Sequence, residues 1–294
     1  MSGFAFDQAE GLRRLLGRDQ MRVIAVVSGK PRVGQTNVVI NLAHALATQG
    51  KSVLILDEGI GADSSAARLG FAPRIELAQV LKAQSPLPQA LLSYSALLHV
   101  LPVREGLRRI AQLSAEEQDR LAHELSTLPL KPDFLLLDLA ADRSQITLAA
   151  TAAADEVLVV VSPEHSAITQ SYALIKQLAQ DYGRRHFRLL ASKTKNDEDT
   201  AAVYNNMLGA AARYLNAQLS ELSTVPWDEA VRRANRLGKP VVEIFPDAPA
   251  SQAYRTLAQA IAAWPLMRED GGHLDGFLHR LIMSSRMMEL SVRM

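Results

Sequence analysis

Between a β-branched run, Val23 to Val27, and an apolar stretch with helical spacing, Val38 to Gly50, lies Ser28-Gly29-Lys30-Pro31-Arg32-Val33-Gly34-Gln35-Thr36-Asn37. A glycine-bearing turn between a strand and a helix suits phosphate. Its backbone N–H groups encircle the anion, a lysine adds charge, a hydroxyl meets Mg²⁺ and the helix N-terminus faces the ligand. Lys30, Gly34 and Thr36 supply these types, with Gln35 and Asn37 on either side of the threonine. Gln35 is a neutral amide where a phosphate-gripping lysine would stand, so it can donate but cannot balance charge. Pro31 removes a backbone donor, and Pro31 and Arg32 both restrict the tight turn that glycine permits. A loop of this composition is expected to hold phosphate poorly.

The elements that must position this loop are legible from their periodicity. Short apolar runs at Val23–Val27, Ser52–Asp57, His99–Val103, Asp133–Asp138, Glu156–Ser162 and His186–Ser192 alternate with helix-compatible segments. Runs that are apolar on both faces suit buried parallel strands covered by helices on each side. The pattern predicts a doubly wound α/β fold with a mostly parallel sheet over residues 21–265, with appended helices at 1–20 and 266–294. At the C-terminal end Leu274, Phe277, Leu278, Leu281 and Ile282 recur at helical spacing. That stripe admits two readings, contact with a membrane surface through Phe277, Leu281 and Ile282, or packing against the chain's own core.

Composition narrows the function classes. Thirty-two Lys and Arg nearly cancel 31 Asp and Glu, so the global positive field of a nucleic-acid-coating protein is missing and no direct nucleic-acid partner is expected. With no cysteine, a disulfide framework, a thiolate metal site and a cysteine nucleophile are excluded. The histidines, His44, His99, His123, His165 and His186 among them, show no ligand spacing. The first twenty residues mix acidic and basic side chains, unlike a signal peptide, and no apolar run reaches the length of a spanning helix. A cytoplasmic protein is expected.

The loop "KPRVGQT" resembles the deviant phosphate-binding loop of the MinD/ParA family, whose pattern places one lysine early and another before the threonine. The resemblance implies an ATP site with Mg²⁺ held near Thr36, Asp57 and Asp138. It also exposes departures. Gly59 stands where the family carries the aspartate that positions the attacking water, and Asp142 stands where a glycine lets a switch backbone approach the γ-phosphate. Ser192 replaces the asparagine that reads adenine, while Val225–Val231, "VPWDEAV", is similar to the segment that closes over the base. Together these imply a retained fold with weak or lost hydrolysis.

Within that family the chain resembles the FlhG/FleN branch, regulators of flagellar number and placement. The similarity runs through "SAITQSYALIKQLAQDYGRRHFRLLAS", "VPWDEAVRRA", "GHLDGFLHRLI" and Asp7-Gln8-Ala9-Glu10-Gly11-Leu12-Arg13. In that branch the N-terminal D-Q-A-x-x-L-R helix binds the FlhF-type GTPase and stimulates its hydrolysis. The resemblance therefore assigns Asp7, Gln8, Ala9, Leu12 and Arg13 to partner activation, with Gln8 entering the partner's nucleotide site and Leu12 gripping its surface. It further implies flagellar C-ring components or a transcription activator as partners, a homodimer, and peripheral attachment to the inner face of the membrane. An active MinD-type ATPase switch and a ParA-like partitioning protein are the alternatives.

Overall fold

Strands β1 (Arg22–Val27), β2 (Val53–Asp57), β3 (Leu92–Ser95), β4 (Leu98–Pro102), β5 (Phe134–Asp138), β6 (Glu156–Val161), β7 (His186–Thr194) and β8 (Gln218–Pro226) form one sheet. The computed structural model describes residues 21–110, 112–128, 130–215, 217–264 and 274–292. The N-terminal motif from Asp7 to Arg13 lies outside them. Strand order is β3-β4-β2-β5-β1-β6-β7-β8, and every neighbouring pair is parallel except the β3/β4 hairpin. The chain moves from β1 to β2 and β4 on one side and to β6, β7 and β8 on the other. The carboxyl end of β1 is thus the switch point, where α/β sheets place their ligand crevice.

Every residue of β1, β5 and β6 is buried, as their largely apolar content suits central strands covered on both faces. One face is covered by helices α1 (Gln35–Thr48) and α7 (Pro249–Ala262), which pack on each other. The other face carries α2 (Ala115–Ser126), α3 (Gln145–Ala153), α4 (His165–Asp181) and α8 (Leu274–Val292). Helices α5 (Asp197–Tyr214) and α6 (Glu229–Arg236) flank β8. The α/β class and all six expected strands are present; β3 and β8 are additions to the sequence reading. β3 has four residues and β8 is half-exposed at the sheet edge, so neither carries the apolar run that marks a buried strand.

The two readings of the C-terminal stripe are separated by burial. Phe277, Leu278, Leu281 and Ile282 are all buried in the same core as α3 and α2. Arg280 fixes the helix by donating from Nε to the Ala153 carbonyl at 3.0 Å and from Nη2 to Asp155 at 3.3 Å. The membrane assignment of Phe277, Leu281 and Ile282 is corrected accordingly: in this fold their faces are consumed by intramolecular packing, because the exposed layer of α2 and α3 needs an apolar cover. Among the described residues no helix is long and apolar enough to cross a membrane.

Candidate functional site: a cleft at the end of β1

The loop after β1 is shaped by close approaches. A Cβ at Gly29 would lie 2.2 Å from the Gln170 carbonyl carbon of α4, so only glycine fits there. Gly34, the residue before α1, has φ 106°, and no side chain caps the helix it opens. A Cβ on Gly34 would also sit 2.8 Å from the Ser192 hydroxyl. Arg32 takes φ 66°, the left-handed conformation that glycine adopts freely and that costs other residues roughly 1–2 kcal/mol. The turn forms with Arg32 in this conformation, at the cost of strain at this residue.

Gln35 points down into the floor. Its Nε2 donates to Asp138 Oδ1 at 2.8 Å and to the Leu139 carbonyl at 2.6 Å, and its Oε1 accepts from Ser28 Oγ at 2.8 Å. Thr36 Oγ1, with one proton to donate, lies 3.4 Å from Asp138 Oδ1 and 3.3 Å from the Asp63 carbonyl, and Ser65 Oγ donates to Asp138 Oδ2 at 2.8 Å. Both oxygens of Asp138 are thus occupied. Burial, reinforced by the nearby Asp57 charge and opposed by these hydrogen bonds, pushes the Asp138 carboxyl up to about 7.

Asp57 lies behind the turn that follows β2. Its Oδ1 accepts from Gly59 N at 2.9 Å and its Oδ2 from Ala66 N at 2.8 Å, and burial raises its pKa against those bonds. A Cβ on Gly59 would come within 2.6 Å of Ser64 Cα and 2.9 Å of Asp57 Oδ1. The turn is closed around the missing carboxylate position. The neighbouring Glu58, also buried, accepts from Ala140 N at 2.8 Å and from Thr147 Oγ1 at 3.2 Å, tying β2 to the segment after β5. Asp142 is not among the residues that line the cleft. Its Oδ1 accepts from Ser144 N at 2.9 Å and Thr147 Oγ1 at 3.1 Å, at the start of α3.

These residues surround a cleft of about 1020 Å³. Lys30, Gly34, Gln35, Thr36, Asn37, Asp138 and Ser192 all line it, whereas Asp57 does not reach its wall. Sequence reasoning passed over several neighbours. Lys193 follows Ser192 and donates to the Arg32 carbonyl, Arg68 bridges Asn37 and Asp63 at 2.9 Å each, and Glu164 with Ser166 receives Lys30. Trp227, half exposed, together with Val225, Pro226 and Val231 forms an apolar wall on the far side.

An uncapped helix N-terminus, five lining cations (Lys30, Arg32, Arg68, Lys193, Arg232) and an apolar wall suit phosphates and a base, with Lys30 paired to Glu164 and Arg68 to Asp63. On the metal side Thr36 donates its proton and keeps its lone pairs, Asp138 accepts from Gln35 and Ser65, and Asp57 is sealed beneath its turn.

A family described as an AAA domain matches residues 21–186, more than half of the chain. The antiactivator FleN of Pseudomonas aeruginosa is 35% identical over 89% of this chain and 94% of its own. The flagellum site-determining protein YlxH of Helicobacter pylori is 26% identical over 81% of this chain and 80% of its own. Among solved structures, the septum site-determining protein MinD of Pyrococcus horikoshii, complexed with Mg-ADP, has a TM-score of 0.64 at 22% identity. The match covers 83% of this chain and 96% of that one. The loop after β1, the switch-point cleft and these relatives agree, and the chain belongs to the FlhG/FleN branch of the MinD/ParA family of P-loop proteins.

Proposed function

We propose that this chain regulates flagellar number and placement through protein contacts, with ATP hydrolysis lost or very weak. The observation that carries the reading is the Gln35–Asp138 contact beside Gly59, where the cleft offers neither the charge-balancing lysine nor room for the water-positioning carboxylate. The flagellar assignment is supported by relatives named as an antiactivator and as a flagellum site-determining protein. The first of these names favours a transcription activator as one partner.

The activity retained is assigned to the segment Asp7-Gln8-Ala9 with Leu12 and Arg13, acting on an FlhF-type GTPase. A glutamine carried on a short helix can orient a water or a switch residue in a partner's nucleotide site. The protein then works as an accessory to another enzyme's chemistry from the cytoplasm, and as a homodimer where its relatives dimerise. C-ring components are the further partner class. Peripheral membrane attachment would have to use surfaces other than the buried face of α8.

Two measurements on the full chain test this. GTP turnover by the FlhF-type partner should rise on addition of the protein and should fall back to its basal rate with Gln8→Ala. Magnesium-dependent ATP turnover by the chain itself should not exceed a no-protein control; turnover abolished by Thr36→Ala would establish an active MinD-type switch instead.

A further inference from the structure

At the amino end of the sheet, opposite the cleft, Ile24 pairs with Glu156, Leu158 with Arg188 and His186 with Gln218, so the starts of β6, β7 and β8 lie level beside the start of β1. Over the starts of β7 and β8, against α5, lies a groove of about 540 Å³. Leu208, Ala217 and Leu219 line it, half-buried at the margin of the core. The two charges in its lining satisfy each other, because Arg188 donates to Glu156 from Nε at 3.0 Å and from Nη2 at 3.4 Å. The groove is thus apolar and without net charge, and among the described residues no side chain fills it.

The chain enters β1 at this same end. In the sequence before it, Phe6, Ala9, Leu12, Leu15 and Leu16 recur at helical spacing, and Asp7 and Glu10 are balanced by Arg13 and Arg14. A helix from Phe6 to Leu16 is shorter than the roughly 12–15 residues at which isolated helices become even marginal, so it needs a surface to pack on. Gly17 is a stop signal, and the four residues 17–20 reach at most about 14 Å. At about 4.8 Å per strand, β7 and β8 stand roughly 10 and 14 Å from β1, within that reach. The cleft lies about 20 Å away along the six residues of β1, beyond it. The apolar face over α2 and α3 is already taken by α8.

We propose that residues 6–16 dock as a helix in the groove between α5 and β8, with Leu12, Leu15 and Leu16 against Leu208, Ala217 and Leu219. The consequence for function rests on the reading above that Gln8 and Leu12 act on a GTPase. One apolar stripe cannot face two surfaces, so the docked segment is held in reserve and the partner must first draw it out. The partner's apparent affinity is lowered by the docked fraction.

The chain has no cysteine, so an introduced pair is the only one it carries. In the full chain, Leu15→Cys with Leu208→Cys should close an intramolecular disulfide under mild oxidation. Leu15→Cys with Ser95→Cys, at the opposite edge of the sheet, should not. Separately, Leu208→Glu and Ala217→Glu, in protein that melts like the wild type, should each tighten the apparent Kd for the FlhF-type GTPase about threefold or more. Equal crosslinking to positions 208 and 95 would overturn the proposal, as would disulfides formed only between chains, which would put a second copy in the groove. So would crosslinking of Leu208→Cys by Met267→Cys in place of Leu15→Cys, or a Kd unchanged in both glutamate variants. Stimulation of the GTPase through Gln8 without the crosslink would remove this inference alone, whereas a crosslink in a chain that stimulates no GTPase would uphold the docking and remove the regulator reading.

Discussion

Gln35 Nε2 stands 2.8 Å from Asp138 Oδ1, joining the first residue of α1 to the last residue of β5 across the floor of the cleft. The same amide reaches the Leu139 carbonyl and its oxygen receives the Ser28 hydroxyl. A side chain in the position of a phosphate ligand has become a structural tie. Truncation by Gln35→Ala would leave Ser28, Asp138 and Leu139 each short of a partner. We expect a loss of about 1–3 kcal/mol, read as a Tm several degrees lower. An unchanged Tm would mean that the amide is not anchored as described.

The floor should also make stability fall with pH. Asp138 has a folded pKa raised to about 7, mainly by burial, from an ordinary value of 3.8. The folded state therefore holds a proton that the unfolded chain has released. The favourable contribution is full below the unfolded value and is lost as pH rises through the folded one. In the presence of EDTA, Tm should fall between pH 5 and pH 8, and Asp138→Asn should flatten that slope. A wild-type Tm that rises over this range would contradict the placement of Asp138.

Restoration of the missing carboxylate is predicted to fail. Gly59→Asp places a Cβ 2.6 Å from Ser64 Cα and 2.9 Å from Asp57 Oδ1, and backbone cannot yield as a flexible side-chain tip can. The cost is about 1–3 kcal/mol, as for other overpacked sites. ATP turnover should stay at background and Tm should drop. By contrast, Gln35→Lys with Pro31→Gly restores the lysine and one glycine of the loop in exchange for the Gln35 tie to Asp138, and should raise ATP affinity if the base wall is intact. Unchanged affinity in calorimetry would place the decay in that wall.

The reach of the sequence follows from what each feature depends on. The buried strands announce themselves because a strand covered on both faces must be mostly apolar, as β1, β5 and β6 are apart from Arg22, Asp138 and Glu156 at their ends. β8 escapes notice because an edge strand exposes one side, and Gln218 to Pro226 reads as polar chain. The identities of Lys30, Thr36 and Asp138 suggested a shared site, and they do line one cleft. What could not be read was partnership. No spacing rule tells that Gln35 turns toward Asp138, that Lys30 pairs with Glu164, or that Gly59 is pressed against Ser64, since each depends on elements brought together from distant parts of the chain.

The burial of α8 yields a prediction that separates structural from membrane roles. Leu281 is 1% exposed and lies among Phe277, Leu278 and Ile282 over α3 and α2. Leu281→Ala should cost about 2–5 kcal/mol through lost burial and the cavity left behind. An amphipathic helix held for lipid would behave oppositely: truncating its apolar face would spare Tm and weaken sedimentation with anionic vesicles. We therefore expect a lowered Tm for Leu281→Ala and no loss of vesicle binding relative to the wild type. Met283, 47% exposed on the same helix, is the internal control, and Met283→Ala should change Tm little. If Leu281→Ala kept its Tm and lost vesicle binding, α8 would have to leave the core in solution, and the packing of Phe277 and Ile282 would be one state of a helix that exchanges between protein and lipid.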